Sequence, residues 1–268
     1  MVIDRNNIFD VTNKCNCKPD KDYGQNFLIE PLISEKIVSL LDIKTCDNVL
    51  EIGPGVGSLT HFISNSTEKY TVVDIDSRMC DFLKVVYPTA TLICNDIRKV
   101  DVTSYNKILS NLPYNVTTEI ITYLLLNAVN TEEIVLMCQS ETFRHFFDVS
   151  GSEYGPVSVL IHLLGNIRRE FNVKAGCFIP QPKCVSIVFR IVLNKVPNRD
   201  EIIDCYNFAK KVFNNRRKTI LNNFSIIGID KEKGQIILEK AGINPLSRPE
   251  DIKPEQYLEL YRVYRENV

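Results

Sequence analysis

The sequence predicts an α/β protein, an open doubly wound sheet followed by a small helical region. Three observations predict it. The run at 48–57 (NVLEIGPGVG) is almost unbroken apolar strand, stops abruptly in glycines and gives way to helical spacing at 58–64. Two further strand-like runs, 70–75 and 91–94, each lead into acids, Asp74 and Asp76 in the first case and Asp96 in the second. From Arg199 to Val268 the apolar residues recur at helical intervals throughout. Strand, helix, strand, with an acid after each strand, is what a doubly wound sheet places along its C-terminal edge.

Composition bounds the rest. At 268 residues the chain holds one large or two unequal domains with an ample core, and its hydrophobic fraction of 44% is ordinary for a globular protein. No apolar run is long enough to span a bilayer and no charged start precedes an apolar signal core, so we expect no membrane contact and a cytoplasmic protein. The nine cysteines are odd in number and scattered; Cys94 and Cys138 sit in apolar stretches and read as buried thiols, which fits a reducing compartment. Cys15 and Cys17 form a C-x-C pair with no second pair nearby, so no metal site is expected there.

In chain order, residues 1–22 are polar and read as a flexible N-terminal arm. YGQNFL follows at 23–28, then an amphipathic helix over 31–41, with Pro31 suited to its first turn. The strand at 49–52 is apolar enough to be buried on both faces of a parallel sheet. Its exit has glycines at 53, 55 and 57 around a rigid Pro54, and Glu51 stands just before the first glycine. A glycine turn at a helix start suits a nucleotide-like ligand. A carboxylate beside it would repel a pyrophosphate and suits a cation. That points to the sulfonium of S-adenosylmethionine, the alternative being a tight turn with no ligand. Asp74 lies about 20 residues beyond the turn, where ribose-binding acids sit in nucleoside-binding folds. Asp76 also fits a helix N-cap. Asp96 can accept a hydrogen bond from an exocyclic amine such as that of adenine.

The strand at 107–109 runs into SNLPYN, 110–115, the most specific motif in the chain. Asn111 supplies an amide oxygen, Pro113 stiffens the turn and exposes the Leu112 carbonyl, and Tyr114 supplies a flat face. An adenine N6 amine is a poor nucleophile because its lone pair is delocalised into the ring. Two acceptors on its two N–H groups draw it toward a tetrahedral geometry, and stacking on Tyr114 holds the base. The work is positioning and electrostatics, and no strong general base is required. An ordinary proline turn explains Pro113 but not its polar and aromatic neighbours.

A helix over 117–126, a strand over 134–138 and a segment read as helix carrying Gln139, Glu141 and Arg144 come next. A glycine-containing loop at 152–159 leads into an apolar helix. Phe178 then precedes Pro180 and Pro182 and a strand over 185–192; it can cover a bound base or anchor the loop as a core residue. Pro197 and Asn198 mark a linker. Beyond it lie helices around 202–213, 236–241 (closed by Gly242) and 256–264.

These motifs together resemble the ribosomal RNA adenine N6,N6-dimethyltransferase family. The matching segments are YGQNFL, VLEIGPGVGSLT, VVDIDSRM, NDI, SNLPYNVTTEI, GSEYGPVSV, FIPQPKCVS and NNRRKTILNN, spread over about residues 22–250. The branch resembled most dimethylates two adjacent adenosines near the 3′ end of small-subunit rRNA. Relatives that methylate large-subunit rRNA and confer macrolide resistance usually carry Ile where Leu112 stands. The resemblance implies a Rossmann-like class I methyltransferase with a seven-stranded mixed sheet over 23–194 and a helical RNA-binding domain over 199–268. It implies S-adenosylmethionine as cofactor, held by Gln25, Asn26, Leu28, Glu51, Gly53, Gly55, Asp74, Ile75, Asp96, Ile97 and Asn111. The target base would be held by Asn111, Leu112, Pro113 and Tyr114, with Phe178 packing on it. The partner implied is rRNA in an immature small ribosomal subunit, bound by a monomer.

Two departures stand out. The family commonly has Glu at the position of Asp74. Relatives are also basic before GQNFL, where this chain has Asp20 and Asp22, and the net charge here is −1. Phosphate contacts dominate nucleic-acid affinity, so RNA binding must rest on local patches: Arg144, Arg168, Arg169, Lys183, Arg216, Arg217 and Lys218. Arg216 to Lys218 read equally as a solvated helix face. The alternatives are a large-subunit rRNA methyltransferase and a non-catalytic RNA-binding assembly or transcription factor.

Overall fold

A computed structural model describes residues 1–14, 16–20, 23–113 and 115–268. Cys15 of the C-x-C pair, Asp22 of the acidic stretch and the stacking face expected from Tyr114 lie outside the described residues. The elements in chain order are α1 (Ile8–Lys14), β1 (Phe27–Leu28), α2 (Pro31–Ser39), β2 (Val49–Ile52), α3 (Thr60–Ser64), β3 (Tyr70–Asp74), α4 (Ser77–Val86), β4 (Thr91–Cys94), β5 (Lys107–Asn111), α5 (Thr117–Asn127), β6 (Glu133–Gln139), α6 (Ser140–Phe147), α7 (Pro156–Leu164), β7 (Gly165–Val173), β8 (Phe178–Ile179), β9 (Ser186–Leu193), α8 (Arg199–Phe213), α9 (Ile220–Ile226), α10 (Lys231–Lys240) and α11 (Pro254–Asn267). They form two compact units, Met1–Thr142 with Arg168–Leu193, and Phe143–Ile167 with Asn194–Val268.

The first unit is built on a seven-stranded sheet in the order β4-β3-β2-β5-β6-β9-β7. Strands β4 to β6 run parallel, and β9 is antiparallel to β6, so the sheet is mixed as expected. The apolar runs explain the order of burial. All four residues of β2 and all five of β3 are buried, and the outer strand β4 is only partly covered. That outer position corrects the reading of Cys94: it is exposed, while Cys138 on β6 is buried. The chain steps outward from β2 to β4 and then returns to lay β5 on the other side of β2. This reversal between β2 and β5 opens a crevice at the strands' C-terminal ends, the usual ligand position in such sheets.

The sequence reading named six strands of this sheet and missed β7. Its run GNIRREFNV has no apolar alternation, because it is an edge strand with charged residues. Cross-strand charges replace that pattern: Arg190 on β9 pairs with Glu133 on β6 at 3.0 Å and with Glu170 on β7 at 3.2 Å. A two-stranded ribbon, β1 with β8, sets Leu28 opposite Phe178.

The N-terminal segment also departs from the loose arm expected for it. Ile3, Ile8, Val11 and Cys17 are buried in one apolar cluster with Phe27, Ile29, Val56 and Met79. Ile8 and Val11 are three residues apart, so one turn of α1 presents both to the same neighbours. Arg5 fixes the segment further, donating to Glu30 at 2.8 Å and to the Gly176 carbonyl at 2.9 Å.

The second unit begins earlier than the 194–199 boundary read from the sequence, because residues 143–167 belong to it. Tyr154 and Val159 are buried among Phe208, Phe213, Phe224 and Tyr257 from the C-terminal helices. Leu160, Ile161 and Leu164 make α7 apolar on more than one side, which requires such cover.

Candidate active site

A cavity of about 240 Å³ occupies the crevice of the first unit. Among the described residues, five segments line it: residues 23–28, the β2 exit with Gly53, Pro54 and Gly55, the β3 exit with Asp74 and Ile75, the β4 exit with Asp96 and Ile97, and the β5 exit with Asn111, Leu112 and Pro113. The sequence reading therefore named residues that the fold brings to one place from five segments of chain.

Each wall has a local cause. Gly53 sits at φ +63°, the left-handed region that disfavours any side chain, and among the described residues only the Asn111 carbonyl, at 4.0 Å, approaches the position of an added Cβ. The glycine thus keeps open a cradle between β2 and β5. Gly55 at φ +54° would bring a Cβ to 3.0 Å of the Phe27 ring, so the turn and the 23–28 segment need a glycine to pack this closely. Ser58 Oγ donates to the Leu28 carbonyl at 2.6 Å and ties the same segment to the start of α3.

Glu51 is 1% exposed, and its carboxyl accepts a 2.6 Å hydrogen bond from Thr60 Oγ1. Burial pushes its pKa up to about 8; the Thr60 bond opposes this and the nearby Asp74 charge adds to it. In the ligand-free protein Glu51 is therefore largely protonated at neutral pH. Burial thus favours the protonated acid, and a cation beside it would favour the charged form.

Asp74 accepts from the Gly55 N–H at 3.3 Å and the Asp76 N–H at 2.9 Å. Burial raises its pKa to about 6, against those backbone bonds. Its side chain is thus held by two main-chain donors, one from the glycine turn and one from the start of α4. Asp76 takes the cap role that the sequence also allowed, accepting from the Arg78 N–H at the start of α4. It also receives Gln25 Nε2 at 3.1 Å, while Gln25 Oε1 accepts from the Asp20 N–H, so the Gln25 amide is engaged in holding its own segment. Asp96 is gripped by Arg98 at 2.6 Å, and that hydrogen-bonded pair keeps its carboxyl below its ordinary pKa. Ile75, 54% exposed, and the buried Ile97 give the flanking apolar surfaces.

At the β5 exit, Asn111 Nδ2 donates to the Asn26 carbonyl at 3.1 Å. With its donor end used, the amide keeps Oδ1 as an acceptor. The Leu112 N–H donates to the Met137 carbonyl at 3.0 Å, which carries the β5–β6 pairing one residue into the turn and fixes the Leu112 carbonyl.

Phe178 is not part of this cavity. It is 2% exposed and buried in the core with Leu28, Leu109 and Met137, where it anchors the loop. Of the basic candidates, Arg216 is a structural residue. It donates to the carbonyls of Tyr154 at 2.7 Å and Gly151 at 3.2 Å, and pairs with Glu250 at 3.2 Å. Arg144 lies 3.5 Å from Asp148 and is exposed, and Arg169 donates to Asn172 at 2.7 Å. Arg168, Lys183, Arg217 and Lys218 are exposed. Sequence reasoning missed Arg98, Thr60 and Ser58; each lies within three residues of a named site residue or its turn, but none bears a distinctive spacing.

The ribosomal RNA adenine dimethylase family matches residues 16–266. Ribosomal RNA small subunit methyltransferase A of Malacoplasma penetrans is 38% identical over 243 residues, covering 88% of this chain and 89% of that protein. The protein of the same name from Clostridium botulinum is 33% identical over 264 residues, covering 94% and 96%. Among solved structures, a dimethyladenosine transferase from Plasmodium falciparum superposes with a TM-score of 0.78 at 23% identity, over 90% of this chain and 98% of that one. The 23S rRNA methyltransferase ErmE gives 0.67 at 20% identity, over 89% and 99%. The two structures share the fold, a Rossmann-like class I methyltransferase sheet. The chain belongs to the ribosomal RNA adenine dimethylase family.

Proposed function

We propose that this protein uses S-adenosylmethionine to dimethylate N6 of two adjacent adenosines near the 3′ end of small-subunit rRNA, acting as a cytoplasmic monomer on immature small subunits. The observation that carries the reading is that Gly53 and Asn111, side by side at the ends of the adjacent strands β2 and β5, line one cavity at the reversal of the sheet order. The residues present fit the cofactor. Gly53 leaves a cradle that any side chain would fill, the buried Asp74 carboxyl suits a ribose, and Ile75 and Ile97 suit the faces of a purine beside Asp96. Asn26 and Leu28 adjoin the cradle and suit the methionine end. When bound, the cofactor supplies an electrophilic methyl group on a cationic sulfur.

The chain's own residues do the rest. Asn111 Oδ1 and the Leu112 carbonyl accept the two amine hydrogens of the target adenine, which localises the lone pair on nitrogen. Pro113 stiffens the turn that presents them, and Tyr114 provides the stacking face. Catalysis of this kind is positioning with fixed dipoles. Arg144, Arg217, Lys218 and Lys183 remain for phosphate contacts; Arg216 serves the fold first.

Small-subunit rRNA is favoured over large-subunit rRNA because the relatives at 33–38% identity are named for the small subunit, whereas ErmE shares the fold at 20%. The test is mass spectrometry of rRNA from cells with and without the protein. Dimethyladenosine that disappears from small-subunit rRNA supports the reading. A change confined to large-subunit rRNA supports the alternative, and no change in either refutes enzymatic function.

A further inference from the structure

The chemistry above leaves two buried hydroxyls of the SNLPYN turn and its helix without a task. Ser110 is fully buried, and its Oγ donates to the Ile52 carbonyl at 2.7 Å. Ile52 is its register partner on β2 and directly precedes Gly53. Thr117, 2% exposed, donates from Oγ1 to the Pro113 carbonyl at 2.9 Å. The first bond ties the strand end that carries Asn111 to the strand end that carries the glycine cradle. The second closes the far side of the turn onto α5. Neither hydroxyl is a helix cap; the N-cap position of α5 is Val116. Between them stands Asn111, whose amide is oriented by the Asn26 carbonyl. The acceptor is thus braced on both flanks, and Ser110 and Thr117 are absent from the cavity lining.

We propose that Ser110 and Thr117 are positioning residues for methyl transfer, their hydroxyls fixing the separation between the Gly53 cradle and the Asn111–Leu112 acceptors without touching either reactant. The proposal rests on the reading of this cavity as a methyl-transfer site. Small displacements of aligned reactants slow a reaction far more than they weaken binding. The braces therefore matter to rate and little to cofactor affinity.

The test uses Ser110→Ala and Thr117→Val in the full chain, with Thr117→Ser as the variant that keeps the hydroxyl. Three quantities are measured: S-adenosylmethionine affinity by calorimetry, Tm, and the single-turnover rate on unmethylated small subunits with saturating cofactor, well below the variants' Tm. We expect affinity within about twofold of wild type, rates lower by about tenfold in Ser110→Ala and Thr117→Val, and most of the rate retained in Thr117→Ser. Wild-type rates in the two hydroxyl-free variants overturn the proposal. So does a rate loss matched by an equal loss of cofactor affinity, which marks a merely structural role. Should Ser110→Ala fail to fold, Thr117→Val and its Ser counterpart decide alone. A wild-type protein that methylates neither rRNA refutes the functional reading itself, a result distinct from any of these.

Discussion

Replacing Glu51 with Gln should remove a pH dependence of stability that the buried carboxyl imposes. The side chain is 1% exposed and accepts from Thr60 Oγ1 a hydrogen bond that a Gln carbonyl can equally accept. Burial raises its pKa from 4.5 to about 8. An acid with a raised folded pKa adds stability below its unfolded value, and that stability is lost as pH rises through the folded value. The window is therefore 4.5 to about 8. Between pH 5.5 and 7.5 the unfolded chain has released this proton and the folded protein largely retains it. The slope approaches 1.4 kcal/mol per pH unit, so wild type loses roughly 2 kcal/mol relative to Glu51→Gln over that interval. For a protein of this size about 1 kcal/mol moves Tm by roughly 2–4 °C. The ligand-free wild type should lose about 4–8 °C against the variant between pH 5.5 and 7.5. The assay is thermal unfolding of both proteins, side by side, across that range. Other titrating groups are common to the two and cancel. Parallel curves, with a constant gap, would refute the argument and return Glu51 to an ordinary ionised carboxylate.

Three further outcomes follow from the same geometry. S-adenosylmethionine binding at pH 7 should release protons, because a cation beside Glu51 favours its charged form; calorimetric enthalpies that do not vary with the buffer's ionisation heat would contradict this. Gly53→Val should abolish cofactor binding in a folded protein, since the side chain enters the cradle at φ +63°, and an unchanged calorimetric Kd would sink the assignment of that wall. Arg217→Glu with Lys218→Glu should weaken RNA binding and flatten its salt dependence, whereas Arg216→Ala should lower Tm through loss of its bonds to Tyr154, Gly151 and Glu250; a salt slope equal to wild type in the double variant would leave those two residues as a solvated face.

Much of this was legible in the residues because the relevant signals are local. A buried strand needs a continuous apolar run, a close turn needs glycine, and the acids at 74 and 96 follow their strands directly. What escaped the sequence depends on partners distant along the chain. Arg216 looks like one member of a basic run until its carbonyl partners at 151 and 154 are brought to it. β7 is held by an ion pair to Arg190 and not by apolar alternation. Cys94 is apolar in its neighbours yet exposed, since nothing in 91–94 says that the strand is at an edge. Phe178 had two readings, and only the pairing of β1 with β8 places it in the core. The charge state of Glu51 is likewise a property of its burial, invisible in the residue type.

The most direct test of the central claim is single-turnover methylation of an immature small subunit, with labelled cofactor and mass spectrometry of the rRNA, comparing wild type with Asn111→Ala. Wild type should place two methyl groups on N6 of each target adenosine, and Asn111→Ala, measured at saturating cofactor, should be slower by on the order of 10²-fold, the usual cost of removing one preorganised polar contact. Equal rates in the two proteins would contradict the role given to the turn at 110–115, and no transfer by wild type to either ribosomal RNA would contradict the function.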